Sequence, residues 1–242
     1  MKIDRPFHHL FYSEHIQGDE ILLSSEETRH MHSVLRNRED DRIYITDGRG
    51  GIYETRLVET GRQGARAEVL NKREYAAPEK HLHCYVGIPD KDHFEAMVES
   101  LSALGVTSII PVGCEYCQKR WWGSGWEKHV VRLRKKMVAG IKQALTPRLP
   151  ELSGPVDFKD INIDNNDLIL TADMAGESIY HKKGEIETAE RIAACVGPPG
   201  GFSPEELSIL REHNARCVSI SSNRLRTELA AIVLCASIRQ IA

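Results

Sequence analysis

The sequence predicts an α/β fold in two parts, a small β-rich domain followed by a mostly parallel sheet with crossover helices. Three observations predict it. From residue 81 onward, short apolar runs alternate with amphipathic helical stretches, as βα units require. Before that, short strand-like segments are separated by turn residues and carry a single short helix. Between the two lies Tyr75-Ala76-Ala77-Pro78-Glu79, which reads as a linker and places the domains at 1–74 and 79–242.

In the first domain, Phe7–Tyr12 and Asp19–Leu23 are strand candidates, and Ser24 with Glu27 forms a capping box ahead of a helix to Arg36. Arg42–Thr46, a turn at Asp47–Gly51 and Ile52–Val58 read as a hairpin, and Ala65–Leu70 adds a strand. Arginines at 29, 36, 38, 42, 49, 56, 62 and 66 could meet phosphates. Neighbouring acids could equally make this a solvated surface.

In the second domain His81–Gly87 is a strand. Asp92 and Glu95 are placed to cap a helix whose Phe94, Met97, Val98, Leu101 and Leu104 form one apolar stripe, ending at Gly105. Ser108–Val112 is the next strand. The loop from Cys117 to Trp126 holds Lys119, Arg120 and three tryptophans, which could stack on nucleic acid or pack against a neighbouring domain or subunit. A helix from Glu127 to about Leu145 follows, with Lys128, Arg132, Arg134, Lys135, Lys136 and Lys142 on its polar face. Asp157–Asp167 reads as a polar connection. Leu168–Thr171, Ile192–Val196 and Cys217–Ile220 are strands, and a last helix starts near Thr227.

Val196-Gly197-Pro198-Pro199-Gly200-Gly201-Phe202-Ser203-Pro204-Glu205-Glu206 is the feature on which the second domain turns. Ser203, Pro204 and Glu206 supply an N-cap, a proline at the first helical position and a carboxylate three residues after the cap. The loop before them is stiff and poor in side chains, and it follows a strand where open α/β sheets bind ligands. Two prolines without N–H groups make a poor phosphate cradle, and the glycine spacing fits neither a dinucleotide fingerprint nor a Walker loop. A mostly neutral ligand fits better. If the sheet is parallel, the junctions 171–176, 197–202 and 220–227 meet at one edge and could wall a pocket for an adenosine-like ligand.

Composition sets bounds. With 28% charged and 41% hydrophobic residues the chain reads as globular, and a net charge of -3 argues against a nucleic-acid-coating protein. No apolar run is long enough for a membrane helix, and Met1–Pro6 lacks a secretory h-region, so a cytoplasmic protein with reduced cysteines is expected. No spacing of His, Cys, Asp and Glu matches a metal site. Cys114-Glu115-Tyr116-Cys117 lacks the helix start that a redox motif has.

At the level of motifs, the chain resembles the 16S ribosomal RNA uridine-N3 methyltransferase family of the SPOUT superfamily, nearly end to end. His30 with Val34-Leu35-Arg36 and the following hairpin resemble its PUA-like RNA-binding domain. Leu104-Gly105-Val106, Ile110-Pro111, Glu115, Lys142-Gln143-Ala144 and Leu149-Pro150 resemble later segments. Gly197–Glu206 and Arg224-Leu225-Arg226-Thr227-Glu228-Leu229-Ala230 are the most diagnostic. The resemblance implies a PUA-like β-barrel domain, then a SPOUT-type sheet with a C-terminal trefoil knot that holds S-adenosylmethionine. It also implies a homodimer and a partner in small-subunit ribosomal RNA.

The positions it implies for the cofactor are Thr171, Ala172, Gly197, Pro198, Pro199, Gly200, Gly201, Ile220, Ser222, Leu225, Arg226 and Thr227. By position, Arg226, which could stabilise the uracil oxygens, and Glu228, which could accept a proton or orient Arg226, are the catalytic candidates, and Arg36, Lys119, Arg120 and Arg148 are candidate RNA contacts. This chain departs from the family pattern at Pro199, where a glutamate is usual, and at Ala103, Tyr116, Ser221 and Leu229. The alternative expectations are a catalytically silent RNA- or ribosome-binding relative, or a methyltransferase with another RNA target.

Overall fold

The computed structural model describes residues 7–117, 121–123 and 125–242. The chain forms two compact units. One comprises the chain up to Ala77 together with Val138–Leu149, and the other comprises Pro78–Met137 and Pro150–Ala242.

The first unit is a six-stranded, mostly antiparallel sheet: β1 (Phe11–Tyr12), β2 (His15–Gln17), β3 (Glu20–Ser24), β4 (Arg42–Thr46), β5 (Gly51–Gly61) and β6 (Gly64–Glu74), ordered β1-β4-β5-β6-β3-β2. The predicted hairpin is β4–β5, with Ile45 opposite Tyr53. Alternating inward residues Ile21, Leu23, Ile43, Ile45, Leu57 and Ala67 meet Phe11 and Met31 in its core. The short helix α1 (Ser25–His30) is capped by Ser24, whose hydroxyl accepts from the Glu27 N–H. Only half of the predicted box forms. The Glu27 carboxylate turns away to accept from Tyr12 N–H and from the Lys142 ammonium. After α1 the chain widens into a π-helical turn, Met31–Leu35, and stops at Arg36 in the left-handed region, φ 58°.

The division at 77/78 falls in the expected linker, and hydrogen bonds explain why 138–149 groups with this unit. Pro147 O accepts from Gly50 N–H (2.9 Å) and from the Thr46 hydroxyl (3.2 Å), and Leu149 N–H donates to Gly48 O (2.8 Å). The hairpin turn thus gains a bridging segment about a hundred residues away, which no local pattern announces.

The second unit is a seven-stranded sheet whose pairs are all parallel: β7 (His81–Gly87), β8 (Ser108–Gly113), β9 (Glu151–Leu152), β10 (Val156–Asp157), β11 (Leu168–Ser178), β12 (Arg191–Val196) and β13 (Arg216–Ser219). Its order is β10-β8-β7-β12-β11-β13, with β9 beside β8. β12 lies between β7 and β11, and its residues 192–196 are buried, as a strand covered on both faces demands. Helices α2 (Lys91–Ala103), α4 (Lys183–Thr188), α5 (Pro204–Glu212) and α6 (Thr227–Ile241) belong to this unit, and α3 (Trp126–Gln143) contributes its residues up to Met137.

Three details differ from expectation. The cap of α2 is Asp90, whose carboxylate accepts from His93 N–H, while Glu95 is buried and paired with Arg132 at 2.7 Å. Lys136 likewise pairs with Glu99, so two cations of the α3 polar face are held by α2. β11 continues past Thr171, but residues 173–176 bulge out of register: Ala172 and Glu177 both lie opposite Val218. The tryptophans pack rather than present free faces. Trp121 lies against Phe94, Trp122 and Trp126, and its indole N–H donates to Pro89 O at 2.9 Å.

Candidate functional site

The carboxyl ends of β7, β11 and β12 open on one cavity of about 930 Å³. Its walls come from four separate pieces of chain: Pro89, Asp90 and His93; Ala172–Met174; the Val196–Phe202 loop; and Arg224–Ala230. The three junctions expected to converge do so, and the turn into α2 is a fourth wall that sequence reasoning missed.

Backbone packing fixes the 196–202 loop. Gly201 N–H donates to Pro198 O at 2.7 Å, and a side chain at Gly197 would press on Phe202 N at 2.9 Å. A Cβ at Gly87, where β7 ends, would overlap Pro198, so strand and loop touch main chain to main chain. At the far end the capping box forms in full. Ser203 N–H donates to Glu206 (2.8 Å) and Glu206 N–H to the Ser203 hydroxyl (3.3 Å). The second oxygen of the buried Glu206 carboxylate accepts from Glu115 N–H, which anchors the turn after β8 to the same cap. Thr227, the first residue of α6, donates its hydroxyl to Gly197 O at 3.0 Å. Arg224 reaches Pro199 O at 3.4 Å.

The opposite lip is ionic. His93 is tied twice to Asp90, through its backbone N–H at 3.2 Å and its ring Nδ1 at 2.5 Å. Its Nε2 lies 3.4 Å from Arg226 Nη1 and 3.7 Å from Glu228 Oε1. The hydrogen bond to Asp90 raises the His93 pKa, Glu228 adding to the effect and Arg226 opposing it, and the same bond lowers that of Asp90.

Most of the expected cofactor positions line the cavity: Ala172, Gly197, Pro198, Pro199, Gly201, Leu225, Arg226 and Thr227, with Glu228 beside them. Thr171 stands just behind the wall, buried, and its hydroxyl has no hydrogen-bond partner. Ile220 lines an adjoining recess of about 100 Å³ that shares Ala172, Met174 and Leu225. Two positions face elsewhere. The hydrogen in place of a side chain at Gly200 points at Tyr116, not at the cavity, and Ser222 is exposed outside both spaces.

The expected RNA contacts divide. Arg36 is exposed. Arg148 is half-buried, and its guanidinium donates to Arg49 O and Tyr75 O, both at 2.6 Å, bracing the first unit. Lys119 and Arg120 lie outside the described residues. Arg42, Arg56 and Arg66 are paired with Glu54, Glu68 and Glu20. Among the described residues no group of three or more His, Cys, Asp or Glu is placed to hold a metal ion, and no helix is long and apolar enough to cross a membrane. All six cysteines are free thiols.

Asp90 was readable as an N-cap, yet nothing local says that His93 would reach residues 226 and 228. Asp173 and Met174 fall inside the 171–176 junction expected at the pocket, but the bulge there depends on pairing with β13 and was not legible.

Comparison with known proteins places this geometry in a family. Residues 77–239 match the model of an RNA methyltransferase domain, and residues 23–70 that of an RNA methyltransferase PUA domain. The Ribosomal RNA small subunit methyltransferase E of Rickettsia conorii is 27% identical over 224 residues, covering 90% of this chain and 88% of its own. The protein of the same name from Aquifex aeolicus is 26% identical, covering 93% and 96%. In fold, the chain is similar to a Ribosomal RNA small subunit methyltransferase E from Neisseria gonorrhoeae bound to S-adenosyl methionine. The TM-score is 0.80 and the identity 23%, over 97% of this chain and 98% of that one. With its family model spanning the whole parallel-sheet unit and a PUA model lying in the unit before it, the chain belongs to the RNA methyltransferase family.

Proposed function

We propose that the protein transfers a methyl group from S-adenosylmethionine to N3 of a uridine in small-subunit ribosomal RNA. The observation that carries this reading is the convergence of the 172–174, 196–202 and 224–230 segments on one cavity. The cavity suits the methyl donor in three respects. Its floor is neutral backbone and proline, matching a nucleoside rather than a phosphate chain. Gly201 lines it and leaves open space where a Cβ would stand, and the Thr171 hydroxyl beside it is buried without a partner. Asp90, Asp173 and Glu228 outnumber Arg224 and Arg226 among its lining residues, a small negative excess that suits a cationic ligand. On this reading Ala172, Gly197–Pro199, Gly201, Leu225 and Thr227 hold the cofactor, whose sulfonium supplies an activated methyl group.

The protein's part is to align the attacking nitrogen, exclude water and manage charge. Arg226 stabilises the negative charge that develops on the uracil oxygens, and Glu228 orients Arg226. Arg36, with Lys119 and Arg120, contacts RNA phosphates. The reading includes a trefoil knot built where β12 inserts between β7 and β11. It also includes a cytoplasmic homodimer, favoured by two exposed apolar residues near the cavity: Met174 is 59% and Leu229 46% exposed. Sedimentation that finds only monomer at micromolar concentration removes the dimer.

The decisive experiment incubates the purified protein and S-adenosylmethionine with unmodified small subunits, then analyses the nucleosides by mass spectrometry. New 3-methyluridine is the expected product. A different methylated nucleoside redirects the target. Cofactor binding without any transfer, or no binding by the folded protein, favours the silent RNA-binding relative.

A further inference from the structure

We propose that His93 is the proton acceptor of the transfer reaction, with Asp90 fixing its tautomer and Glu228 stabilising its charged form. The inference rests on the methyltransferase reading above and adds the base that reading lacks. A uridine N3–H is not ionised at neutral pH, so its nitrogen needs a base to become an effective nucleophile.

The case begins with placement. His93 lines the cavity with Arg226 and Glu228, and it is the sole histidine among the cavity-lining residues. Its backbone N–H and its ring nitrogen Nδ1 bond separate oxygens of the Asp90 carboxylate, so the residue that caps α2 also holds the ring, which cannot turn without losing the Nδ1 contact. Nδ1 therefore carries the proton and donates to Asp90. Nε2 keeps its lone pair and faces Arg226 and Glu228 at 3.4 and 3.7 Å. A general base needs this arrangement: one nitrogen held by an acidic orienter, the other turned to the cavity, where it accepts only a long bond from Arg226 that substrate displaces.

In the step itself, the N3–C bond forms with the electron pair released as the N3–H bond breaks. The S–C bond breaks with its pair remaining on sulfur, which loses its positive charge. The proton moves to His93 Nε2, so the positive charge lost from sulfur appears on the imidazolium. That charge forms between two carboxylates, Asp90 on Nδ1 and Glu228 near Nε2. The charged groups facing His93 are these two and Arg226. Arg226, which disfavours the imidazolium, is the group assigned to the uracil oxygens, and its charge is drawn toward substrate when substrate is bound. The proton then leaves to water as the methylated RNA departs.

Three measurements on the full-length protein test this. In His93→Gln, S-adenosylmethionine affinity by calorimetry should stay within about twofold, while kcat at neutral pH falls by about 100-fold or more. The rise of wild-type kcat with pH should be absent from the variant, and added imidazole should restore part of the activity of His93→Gly. Independently of activity, ring NMR of His93 should show the Nδ1–H tautomer and a pKa above that of a free histidine, falling in Asp90→Asn. A His93→Gln enzyme with wild-type kcat and an unchanged pH profile, or a ring found as the Nε2–H tautomer, overturns the inference and leaves the methyltransferase reading standing. A wild type that methylates no RNA overturns both.

Discussion

The two sides of the cavity are built by different means. The 196–202 wall has no titratable side chain of its own. Its shape comes from glycine contacts, prolines, a complete capping box and main-chain hydrogen bonds to buried partners. The opposite lip, Asp90, His93, Arg226 and Glu228, is held by charged side chains, and His93 and Asp90 are well exposed. The wall can select a ligand by shape over a broad pH range, whereas the lip answers to protons and salt. Binding and chemistry are thereby assigned to separate materials, and substitutions on the two sides should produce different kinds of defect.

The largest effect is expected at Gly197→Val. Its Cβ would press on Phe202 N and Gly201 C at 2.9 and 3.0 Å, and the branched side chain leaves the loop no room to yield. Cofactor binding should fall below detection in calorimetry, while the first unit keeps its circular dichroism. Arg226→Gln tests the lip. Methyl transfer should drop about 100- to 1,000-fold, as when one stabilising donor is removed from an anionic transition state, with cofactor affinity changed only a few-fold. If both variants lose binding equally, the division of labour is wrong.

Arg148 and Arg36 extend the contrast to the first unit. Removing a guanidinium that serves two backbone carbonyls, as in Arg148→Ala, should cost about 2 kcal/mol in denaturant melts. Arg36→Ala should leave stability within about 0.5 kcal/mol, but weaken RNA binding and make it less salt-dependent by about one phosphate contact. Ser203→Ala removes half of the capping box and should destabilise by about 1 kcal/mol.

The smallest effect is the pH dependence of the Asp90–His93 pair. The Asp90 pKa is lowered on folding, so its contribution is present above the unfolded value near 4 and fades as pH falls through the folded one. The His93 pKa is raised, so its contribution is whole below about 6.5 and fades as pH rises through the folded value. Thermal melts of wild type and Asp90→Asn should therefore differ most between about pH 4 and 6.5, converge as Asp90 protonates at lower pH, and differ less as His93 loses its proton at higher pH.

The wall was legible in the sequence, as were Arg226 and Glu228 of the lip, whereas Asp90 and His93 were not, for a physical reason. Ser203, Pro204 and Glu206 act on neighbours three residues away, and the glycines and prolines act on their own backbone, so local spacing exposes them. Ser24 and Glu27 carry the same signature, yet Glu27 found Tyr12 and Lys142 instead, which shows how a tertiary partner outbids a local one. His93 meets Arg226 only because α2 packs against α6 in the folded unit, and Arg148 finds Tyr75 by the same kind of long-range contact. The tryptophan loop offered two readings, and Phe94 together with the Pro89 carbonyl decided it for packing.

Because the cavity walls lie on segments that begin at Pro89 and end at Ala230, none of them can form the binding surface alone. The ligand therefore recognises the completed unit and no partly folded form of it. Its concentration acts on the folding equilibrium: at a hundred times its dissociation constant the folded state gains about 2.7 kcal/mol. Cellular supply of the methyl donor would then set how much of this protein survives as well as how fast it works.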